Sequence, residues 1–395
     1  MEVGPMTASV ALVGFRGYGA SYLPRLAALE AAGAARLGAV VGPTPPRDSD
    51  PDAARTVPWF ASLADLLERE VPDIVVVCTP IPTHLPLALE ALRAGADVLV
   101  EKPTAASLAG HAELVATARE TGRLCQVGFQ TFGSSALDAV RAAVADGEIG
   151  ELTGAGAVGA WTRTAGYWAR SAWAGRRTLD GHDVVDGVVT NPLAHAVATT
   201  LHVVGATRTD HVAEVVTDLY RANPIEADDT SAVRVTTASG LPVGFGFTLC
   251  APGQTPARVL LRGTDGEITL RYERDEAVVS GRRGERTVRG ERADLLTDLL
   301  EARRDGRGLR CDVADTGAFM RVLEAVRTAP GPRVVGGEHV TWEGEGDGRH
   351  PVVRDVAGWC ERVAREQRTF AELGAPWAAP RVEGHVGRRG ATVAP

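Results

Sequence analysis

The sequence predicts an α/β protein with an N-terminal doubly wound parallel sheet and a C-terminal α+β domain containing a large, mostly antiparallel open sheet. Two patterns predict this fold class. Over the first 130 residues, short runs of Val, Ile and Leu alternate with helical segments, which is typical of a parallel sheet covered on both faces. After residue 150, apolar runs follow one another with turns between them. The length of 395 residues and the 45% hydrophobic content suffice for two cores.

The first domain is predicted over residues 8–130. Its strands are expected at residues 9–14, 36–41, 73–78, 97–100 and 124–127, and its helices at residues 21–32, 62–70, 83–94 and 107–121. Ligands of such sheets bind beyond the carboxyl ends of the strands. Segments 14–19, 79–80 and 101–103 should therefore meet at one edge.

The second domain is predicted over residues 131–330, followed by a C-terminal extension over residues 331–395 with one helix and a loose end. Helices are expected at residues 134–145, 188–204, 293–304, 313–328 and 353–373, and strands at 150–162, within 212–270 and at 340–342. An apolar sheet face is costly to leave in water. We therefore expect a homodimer or homotetramer that forms through the C-terminal sheet.

The charge and cysteine content exclude several classes of protein. A formal net charge of -8 gives no basic surface for nucleic acid or for an anionic membrane, and the arginines around residues 282–286 are expected on a solvated hairpin. No apolar run reaches the length of a bilayer span, and no signal peptide is recognisable, so we expect a cytoplasmic protein. Five scattered cysteines without a CxxC pair indicate reduced thiols rather than disulfides or a zinc site.

A glycine-rich turn follows the first predicted strand. Gly14 and Gly19 match the first and third glycines of the G-x-G-x-x-G pattern, whereas Arg16 occupies the second position and is followed by Gly17 and Tyr18. A strand, a glycine turn and a helix present backbone N–H groups and a positive helix end to a pyrophosphate. The turn therefore predicts a dinucleotide site, although the motif is imperfect and a plain tight turn is the alternative.

The end of the second predicted strand bears on the choice of dinucleotide. An acidic residue commonly binds the adenosine ribose 2'-hydroxyl there, but this chain has a proline-rich segment with Thr44 and Arg47. The missing acid and the nearby arginine favour NADP over NAD as the cofactor.

Lys102 is the only lysine among the 42 lysine and arginine residues of the chain. Lysine can lose its proton when burial or neighbours lower its pKa, whereas arginine stays charged. Lys102 follows the predicted strand 97–100 and precedes Pro103. It is therefore a candidate proton donor or acceptor, with a solvated surface lysine as the alternative.

Three motifs carry a resemblance to a known family. They are Glu101-Lys102-Pro103, Cys78-Thr79-Pro80 followed by His84, and the segment from Gly187 to His195. With them, residues 8–330 resemble the Gfo/Idh/MocA family of oxidoreductases, which have a Rossmann domain and a second α+β domain. The resemblance implies an NAD(P)-dependent enzyme that acts on a sugar, a cyclitol or a related polyol.

The resemblance also implies roles for individual residues. Lys102 takes the position of the family's catalytic lysine, and His195 that of the histidine that ends its G-x-x-x-D-x-x-x-H pattern. Asn191 stands where the family has aspartate; it is predicted either to contact the substrate or to cap a helix that Pro192 begins. The residues expected to bind the cofactor are Gly14, Arg16, Gly17, Tyr18, Gly19, Thr44, Arg47, Thr79, Pro80, His84, Glu101, Lys102 and Gln130.

A cluster of aromatic and guanidinium side chains precedes the second-domain helix. Such groups stack on a sugar ring and bind its hydroxyl groups, although packing is an equally reasonable role. The residues predicted to contact the substrate are Tyr167, Trp168, Arg170, Trp173 and Arg176. His182, Asp183 and Asp186 could ligate a divalent metal, but no fourth ligand is evident and no metal is expected.

These observations predict hydride transfer between nicotinamide and a secondary alcohol or ketone of a sugar, with Lys102, His195 and Asn191 at the catalytic centre. One alternative is a redox-neutral epimerase or eliminase that holds NAD(P) tightly. The other is a dinucleotide-binding regulator without activity.

Overall fold

A computed structural model describes residues 7–378 of the chain. Its N-terminal sheet contains β1 (Ala8–Val13), β2 (Ala35–Val41), β3 (Trp59–Phe60), β4 (Ile74–Val77), β5 (Asp97–Val100) and β6 (Cys125–Val127). All six strands are parallel and lie in the order β3-β2-β1-β4-β5-β6. The predicted Rossmann fold is confirmed. The additional strand β3 has only two residues, which is too short to show a period in the sequence.

Helices cover both faces of this sheet. They are α1 (Tyr22–Ala31), α2 (Asp52–Arg55), α3 (Leu63–Leu67), α4 (Ile81–Ala94) and α5 (Leu108–Thr121), and a 3-10 turn at Gly17–Ser21 precedes α1. Helix α4 begins two residues before its predicted start because Pro82 is tolerated in the first turn, where backbone N–H groups lack helical partners. The short α2 was not predicted.

The second half of the chain contains a nine-stranded mixed sheet, two separate strand pairs and seven α-helices among the described residues. In chain order its helices are α6 (Ser135–Ala145), α7 (Ala165–Trp168), α8 (Ala194–Val203), α9 (Leu295–Asp305), α10 (Gly317–Thr328), α11 (Val356–Glu366) and α12 (Phe370–Leu373). The strands are β7 (Leu152–Thr162), β8 (Thr178–Leu179), β9 (His182–Asp183), β10 (Val212–Arg221), β11 (Thr230–Thr237), β12 (Pro242–Thr248), β13 (Cys250–Gly263), β14 (Glu267–Arg271), β15 (Glu276–Gly281), β16 (Gly284–Arg289), β17 (Arg333–Val334), β18 (Val340–Glu343) and β19 (His350–Val353).

The strand order of the large sheet is β16-β15-β14-β13-β7-β12-β11-β10-β17. Only the β7–β12 and β10–β17 pairs are parallel, which confirms the predicted mostly antiparallel sheet. The predicted arginine hairpin is formed by β15 and β16. The two-stranded pairs β8–β9 and β18–β19 lie outside the sheet.

Two predicted helices of the second half differ most from the observed ones, whereas in the helix predicted over residues 313–328 only the first four residues differ, because they form a 3-10 helix. The helix predicted over residues 188–204 begins only at Ala194, because residues 188–193 form successive turns. The helix predicted over residues 353–373 is split into α11 and α12. Gln367 adopts a left-handed backbone with φ 49° and ends α11, and the Thr369 hydroxyl caps α12. The predicted loose end includes residues 379–395, which lie outside the described residues.

Helix α11 lies on β7 and β12 of the large sheet. The helix approaches so closely that a Cβ atom at Gly246 would lie 2.2 Å from the carbonyl oxygen of Cys360, and one at Gly244 would lie 2.2 Å from that of Val363. The opposite face of β7 packs against Leu193, since a Cβ atom at Gly159 would lie 2.6 Å from its side chain. The central strands are therefore covered on both faces.

An oligomer was expected because an apolar sheet face would otherwise be left in water. Since both faces of the central strands are covered within the chain, this argument for an oligomer no longer applies. Among the described residues, the large hydrophobic side chains exposed to solvent are Tyr18, Val71, Val334 and Trp342, and none belongs to β7 or β12. The homodimer or homotetramer and the domain boundaries stay predictions. Within residues 7–378, no helix is both long enough and apolar enough to cross a bilayer.

Substitution of Gly246 by alanine is expected to lower the free energy of unfolding by about 1–3 kcal/mol, because the added methyl group must displace α11. Gly253→Ala in β13 is the matched control, since no atom of the described residues lies within 4 Å of its added Cβ. Urea unfolding followed by circular dichroism measures both variants. Equal midpoints for the two would contradict the close helix approach.

Candidate active site

A cavity of about 930 Å³ lies where β1, β4 and β5 end and faces residues of the second half of the chain. It brings together most of the residues that the sequence predicted. Those that line it are Arg16, Gly17, Tyr18, Thr79, Pro80, His84, Glu101, Lys102, Tyr167, Trp173, Asn191 and His195. The predicted residues outside the lining are Gly14, Gly19, Thr44, Arg47, Gln130, Trp168, Arg170 and Arg176.

The glycine turn requires its two outer glycines. Gly14 has φ 83°, and a Cβ atom there would lie 2.2 Å from the carbonyl oxygen of Cys78. A Cβ atom at Gly19 would lie 1.7 Å from the carbonyl oxygen of Gly14. The turn thus brings bare backbone to the sheet edge, which suits the close approach of a pyrophosphate. These features fit a dinucleotide.

Arg16 does not block this turn, because its side chain points to the loop after β2. Its guanidinium donates to both oxygens of Asp50, at 3.0 and 3.1 Å from Nε, and to the Thr44 hydroxyl at 2.8 Å. Hydrogen bonding to Arg16 lowers the pKa of the half-buried Asp50 carboxyl. The backbone N–H of Arg47 also donates to Asp50, so this loop contains an acid that the sequence pattern did not reveal.

Glu101 is buried beneath the cavity and accepts a hydrogen bond from the Tyr22 hydroxyl at 2.6 Å. Burial raises its pKa, and the bond from Tyr22 opposes this. Gly128 makes room for the carboxylate, since a Cβ atom there would lie 2.7 Å from it. Gln130 donates to Tyr22 at 3.3 Å, which places it in this support and not in the cavity lining.

His84 connects two of the strand ends that form the cavity. Its Nδ1 lies 2.7 Å from the carbonyl oxygen of Pro103, and its Nε2 lies 2.7 Å from that of Thr79. Burial lowers the pKa of His84, whereas the two carbonyl acceptors favour its charged form. The histidine therefore holds the segments after β4 and β5 together from inside α4.

Lys102 is held by Asn191. The lysine Nζ donates to Asn191 Oδ1 at 2.6 Å and to the Asn191 carbonyl oxygen at 3.1 Å. Burial lowers the pKa of Lys102, and the charges of Glu101 and Asp186 oppose this. A lysine in this setting becomes neutral at a lower pH than an exposed one, as general base chemistry requires.

Asn191 is supported in turn by Asp186, whose side chain is almost completely buried. Asn191 Nδ2 donates to Asp186 Oδ1 at 2.5 Å. Asp186 Oδ2 accepts from the backbone N–H of Gly175 at 2.7 Å. The carboxylate fixes which way the amide points, so that its oxygen faces Lys102.

The prediction that Asn191 caps a helix is wrong. The N-cap of α8 is Leu193, without a side-chain hydrogen bond to the helix, because the Asn191 amide is committed to Lys102 and Asp186. The sequence analysis considered Asp186 only as a possible metal ligand. The one feature that could have indicated its role is its position directly before Gly187, where the family motif begins. No sequence spacing relates Asp186 to Lys102.

His195 lies in the first turn of α8 and lines the cavity. Burial lowers its pKa to about 3, and the charge of Lys102 contributes. The imidazole is therefore neutral near pH 7. Its ring packs edge to face on Phe129 with centroids 5.5 Å apart, and its enclosed Nδ1 has no hydrogen-bond partner among residues 7–378.

Aromatic rings from the second half of the chain form part of the cavity wall. Tyr167 and Trp173 lie there as predicted, together with Trp161, which the sequence analysis missed. Arg170 lies behind them, with its Cζ 3.7 Å from the Tyr167 ring centroid and 4.8 Å from that of Trp173, and it pairs with Asp186 at 3.4 Å.

The other two predicted substrate residues lie elsewhere. Trp168 is partly buried and packs against the core, edge to face with Tyr167. Arg176 is exposed and pairs with Glu226 at 2.8 Å. The cavity contains a further arginine, Arg163, that the sequence analysis did not identify.

The three residues considered as metal ligands have separate environments. His182 lines the cavity, whereas Asp183 pairs with Arg327 at 3.0 Å. In the described part of the chain, no group of three or more His, Cys, Asp or Glu side chains is arranged to hold a metal ion.

The fold and the glycine turn define a protein of the Rossmann dinucleotide-binding class. Residues 8–129 match the model of an oxidoreductase family with an NAD-binding Rossmann fold, and residues 137–269 match the GFO/IDH/MocA C-terminal domain. The chain belongs to the Gfo/Idh/MocA family.

Curated relatives match a short part of the chain. An inositol 2-dehydrogenase of Rubrobacter xylanophilus is 41% identical over 87 residues, which is 22% of this chain and 25% of that protein. A scyllo-inositol 2-dehydrogenase (NAD(+)) of Bacillus subtilis is 36% identical over 94 residues, 24% of this chain and 27% of that protein. The matched segments span about a quarter of these relatives.

Solved structures match over most of the chain and show the same fold. The WlbA dehydrogenase of Bordetella pertussis, in complex with NADH and UDP-GlcNAcA, has a TM-score of 0.67 at 22% identity, covering 81% of this chain and 95% of that one. The UDP-N-acetylglucosamine 3-dehydrogenase GnnA of Acidithiobacillus ferrooxidans has a TM-score of 0.65 at 18% identity, covering 81% and 97%.

Proposed function

We propose that this protein is an NAD(P)-dependent oxidoreductase that transfers a hydride between nicotinamide and a secondary alcohol or ketone of a sugar, a cyclitol or a sugar derivative. The observation that carries the proposal is the Lys102 amine, held 2.6 Å from Asn191 Oδ1 in the cavity that the glycine turn also lines. The sugar and inositol dehydrogenases among its relatives support the substrate class.

In this proposal the residues of the cavity have separate roles in binding the dinucleotide, moving a proton and holding the sugar. The turn from Gly14 to Gly19 and the Thr79-Pro80 segment would hold the dinucleotide, which when bound supplies the hydride acceptor or donor. Lys102 takes or returns the hydroxyl proton of the substrate, because burial lowers its pKa. The neutral His195 lines the same cavity and is a second proton acceptor. The aromatic wall excludes water and stacks on the sugar ring.

A substrate screen with the full-length protein tests this proposal. Reduced nicotinamide is followed by its near-ultraviolet absorbance while sugars, inositols and keto-sugars are offered with NAD or NADP. We expect stoichiometric formation or consumption of reduced cofactor with at least one polyol or keto-sugar. Bound dinucleotide without turnover of any member would support the inactive regulator instead.

A redox-neutral reaction is the second candidate. Two relatives from Shewanella strains are named glycosyl hydrolase family 109 protein 2 and are 44% identical over 63 residues, 16% of this chain and 14% of each relative. In a redox-neutral epimerisation or elimination, the hydride would leave the substrate and return to it within one turnover. Product formation without net change in nicotinamide absorbance would identify this case.

The preference for NADP stays a prediction of its own. Arg47 is exposed in the loop after β2, where it could bind a 2'-phosphate, although Asp50 in the same loop already neutralises Arg16. We expect Arg47→Ala to raise the KM for NADP about tenfold or more and to leave the KM for NAD unchanged, because a charged hydrogen bond is lost. Arg55→Ala, at an exposed site nearby, is the control. Equal effects on both cofactors would contradict the preference.

A further inference from the structure

Arg163 is a cation in the cavity wall that lies directly after β7. Its backbone N–H donates to the carbonyl oxygen of Leu249 at 3.0 Å, which fixes the start of the side chain. The guanidinium Cζ then lies 4.9 Å from the Trp161 ring centroid and 4.8 Å from that of Tyr167. Contact with two rings holds the plane of the guanidinium in place before any ligand binds.

Within the described residues, part of the hydrogen-bonding capacity of this guanidinium is unused, although its side chain also hydrogen-bonds to Tyr167. Its Nη1 donates to the carbonyl oxygen of Thr162 at 3.1 Å, and its enclosed Nε has no hydrogen-bond partner in the described part of the chain. An arginine carries five N–H donors and no acceptor. No carboxylate within residues 7–378 lies within ion-pair distance of Arg163. The other arginine of the cavity, Arg16, is paired with Asp50 at 2.7 Å.

We propose that the substrate carries an anionic group, a carboxylate or a phosphate ester on the sugar, and that Arg163 binds it. This inference rests on the proposed function and narrows its substrate class from neutral polyols to acidic sugars. An oxyanion supplies the countercharge and the acceptors that this fixed guanidinium lacks, and the planar fork of arginine matches the geometry of both groups. The rings of Trp161 and Tyr167 keep water away from the pair, which strengthens it.

The test compares each neutral sugar with acidic derivatives that differ from it only at carbon 6. Glucose, galactose and mannose are compared with their uronates and with their 6-phosphates, as substrates and as ligands of the dinucleotide-loaded protein in titration calorimetry. We expect an acidic member to bind at least tenfold more tightly than its neutral partner and to have a higher kcat/KM. The uronate and phosphate arms identify which oxyanion is recognised.

Two arginine variants separate recognition from general effects. Arg163→Gln is expected to weaken binding of the preferred acidic sugar about 10- to 100-fold. The affinity for the matching neutral sugar is expected to stay the same. Arg176→Gln removes an exposed arginine outside the cavity and is expected to change the affinity for neither sugar. Acidic and neutral sugars with equal affinity, or acidic sugars that do not bind, overturn the inference.

The outcomes also distinguish this inference from the proposed function. Turnover of neutral sugars without a preference for acidic ones retains the oxidoreductase and overturns the role of Arg163. Binding of an acidic sugar that depends on Arg163, without turnover of any sugar, retains the anion site and overturns the oxidoreductase.

Discussion

Replacement of Lys102 by arginine is expected to lower kcat about 10²- to 10⁴-fold, the range that general acid–base catalysis contributes, and to leave dinucleotide affinity within a few fold. Arginine keeps the positive charge and can still donate to Asn191, but it does not lose its proton in the accessible pH range. The variant therefore separates proton transfer from charge and position. Turnover is followed by nicotinamide absorbance with the best substrate of the screen.

Two measurements make this result decisive. Binding of reduced dinucleotide, followed by its fluorescence, is expected to be unchanged, which excludes a misfolded variant. Arg176→Lys, the reverse exchange at an exposed site outside the cavity, is the control and is expected to retain full activity. A Lys102→Arg variant with the activity of the natural protein would show that Lys102 transfers no proton.

The sequence predicted the parts of this site that depend on local pattern. Gly14 and Gly19 were recognisable because a strand, a turn and a helix succeed one another, and their short approaches to Cys78 and Gly14 follow from that geometry. Lys102 was recognisable because it is the single lysine and closely follows a strand of apolar residues. Parallel strands then place these segments at one edge without further information.

Contacts between distant segments could not be predicted in the same way. Asp186 supports Asn191 only because residues 188–193 form turns instead of the expected helix. Arg163 enters the cavity because of how β7 ends against residues nearly ninety positions later, at Leu249. The cover of the large sheet by α11 likewise depends on glycines in β12 whose sequence gives no sign of a helix above them.

Exchange of the side chains at positions 191 and 186 is expected to move the pH dependence of turnover. In the double variant Asn191→Asp/Asp186→Asn, the carboxylate contacts Lys102 directly and the amide lies behind it, so the hydrogen bonds to Lys102 and Gly175 have replacements. An opposite charge in contact raises the pKa of a lysine by about 1–3 units. The exchange also removes the smaller contribution that Asp186 makes to this pKa. Oxidation needs the neutral amine, so the rising limb of its pH–rate profile should shift to higher pH, by less than the full shift of about 1–3 units.

The two single variants test the direction of this pKa shift. In the natural protein the charge of Asp186 raises the pKa of Lys102, so Asp186→Asn should lower that pKa and shift the rising limb to lower pH. Asn191→Asp alone places two carboxylates where Asn191 Nδ2 and Asp186 Oδ1 are now 2.5 Å apart. That pair must share a proton, which should lower stability relative to the double variant. When the enzyme reduces a ketone, the ammonium form of Lys102 is the active one. The falling limb of that pH–rate profile should therefore move in the same direction as the rising limb for oxidation. Rate profiles that coincide for Asp186→Asn and the double variant would show that the amide and the carboxylate do not set the protonation of Lys102.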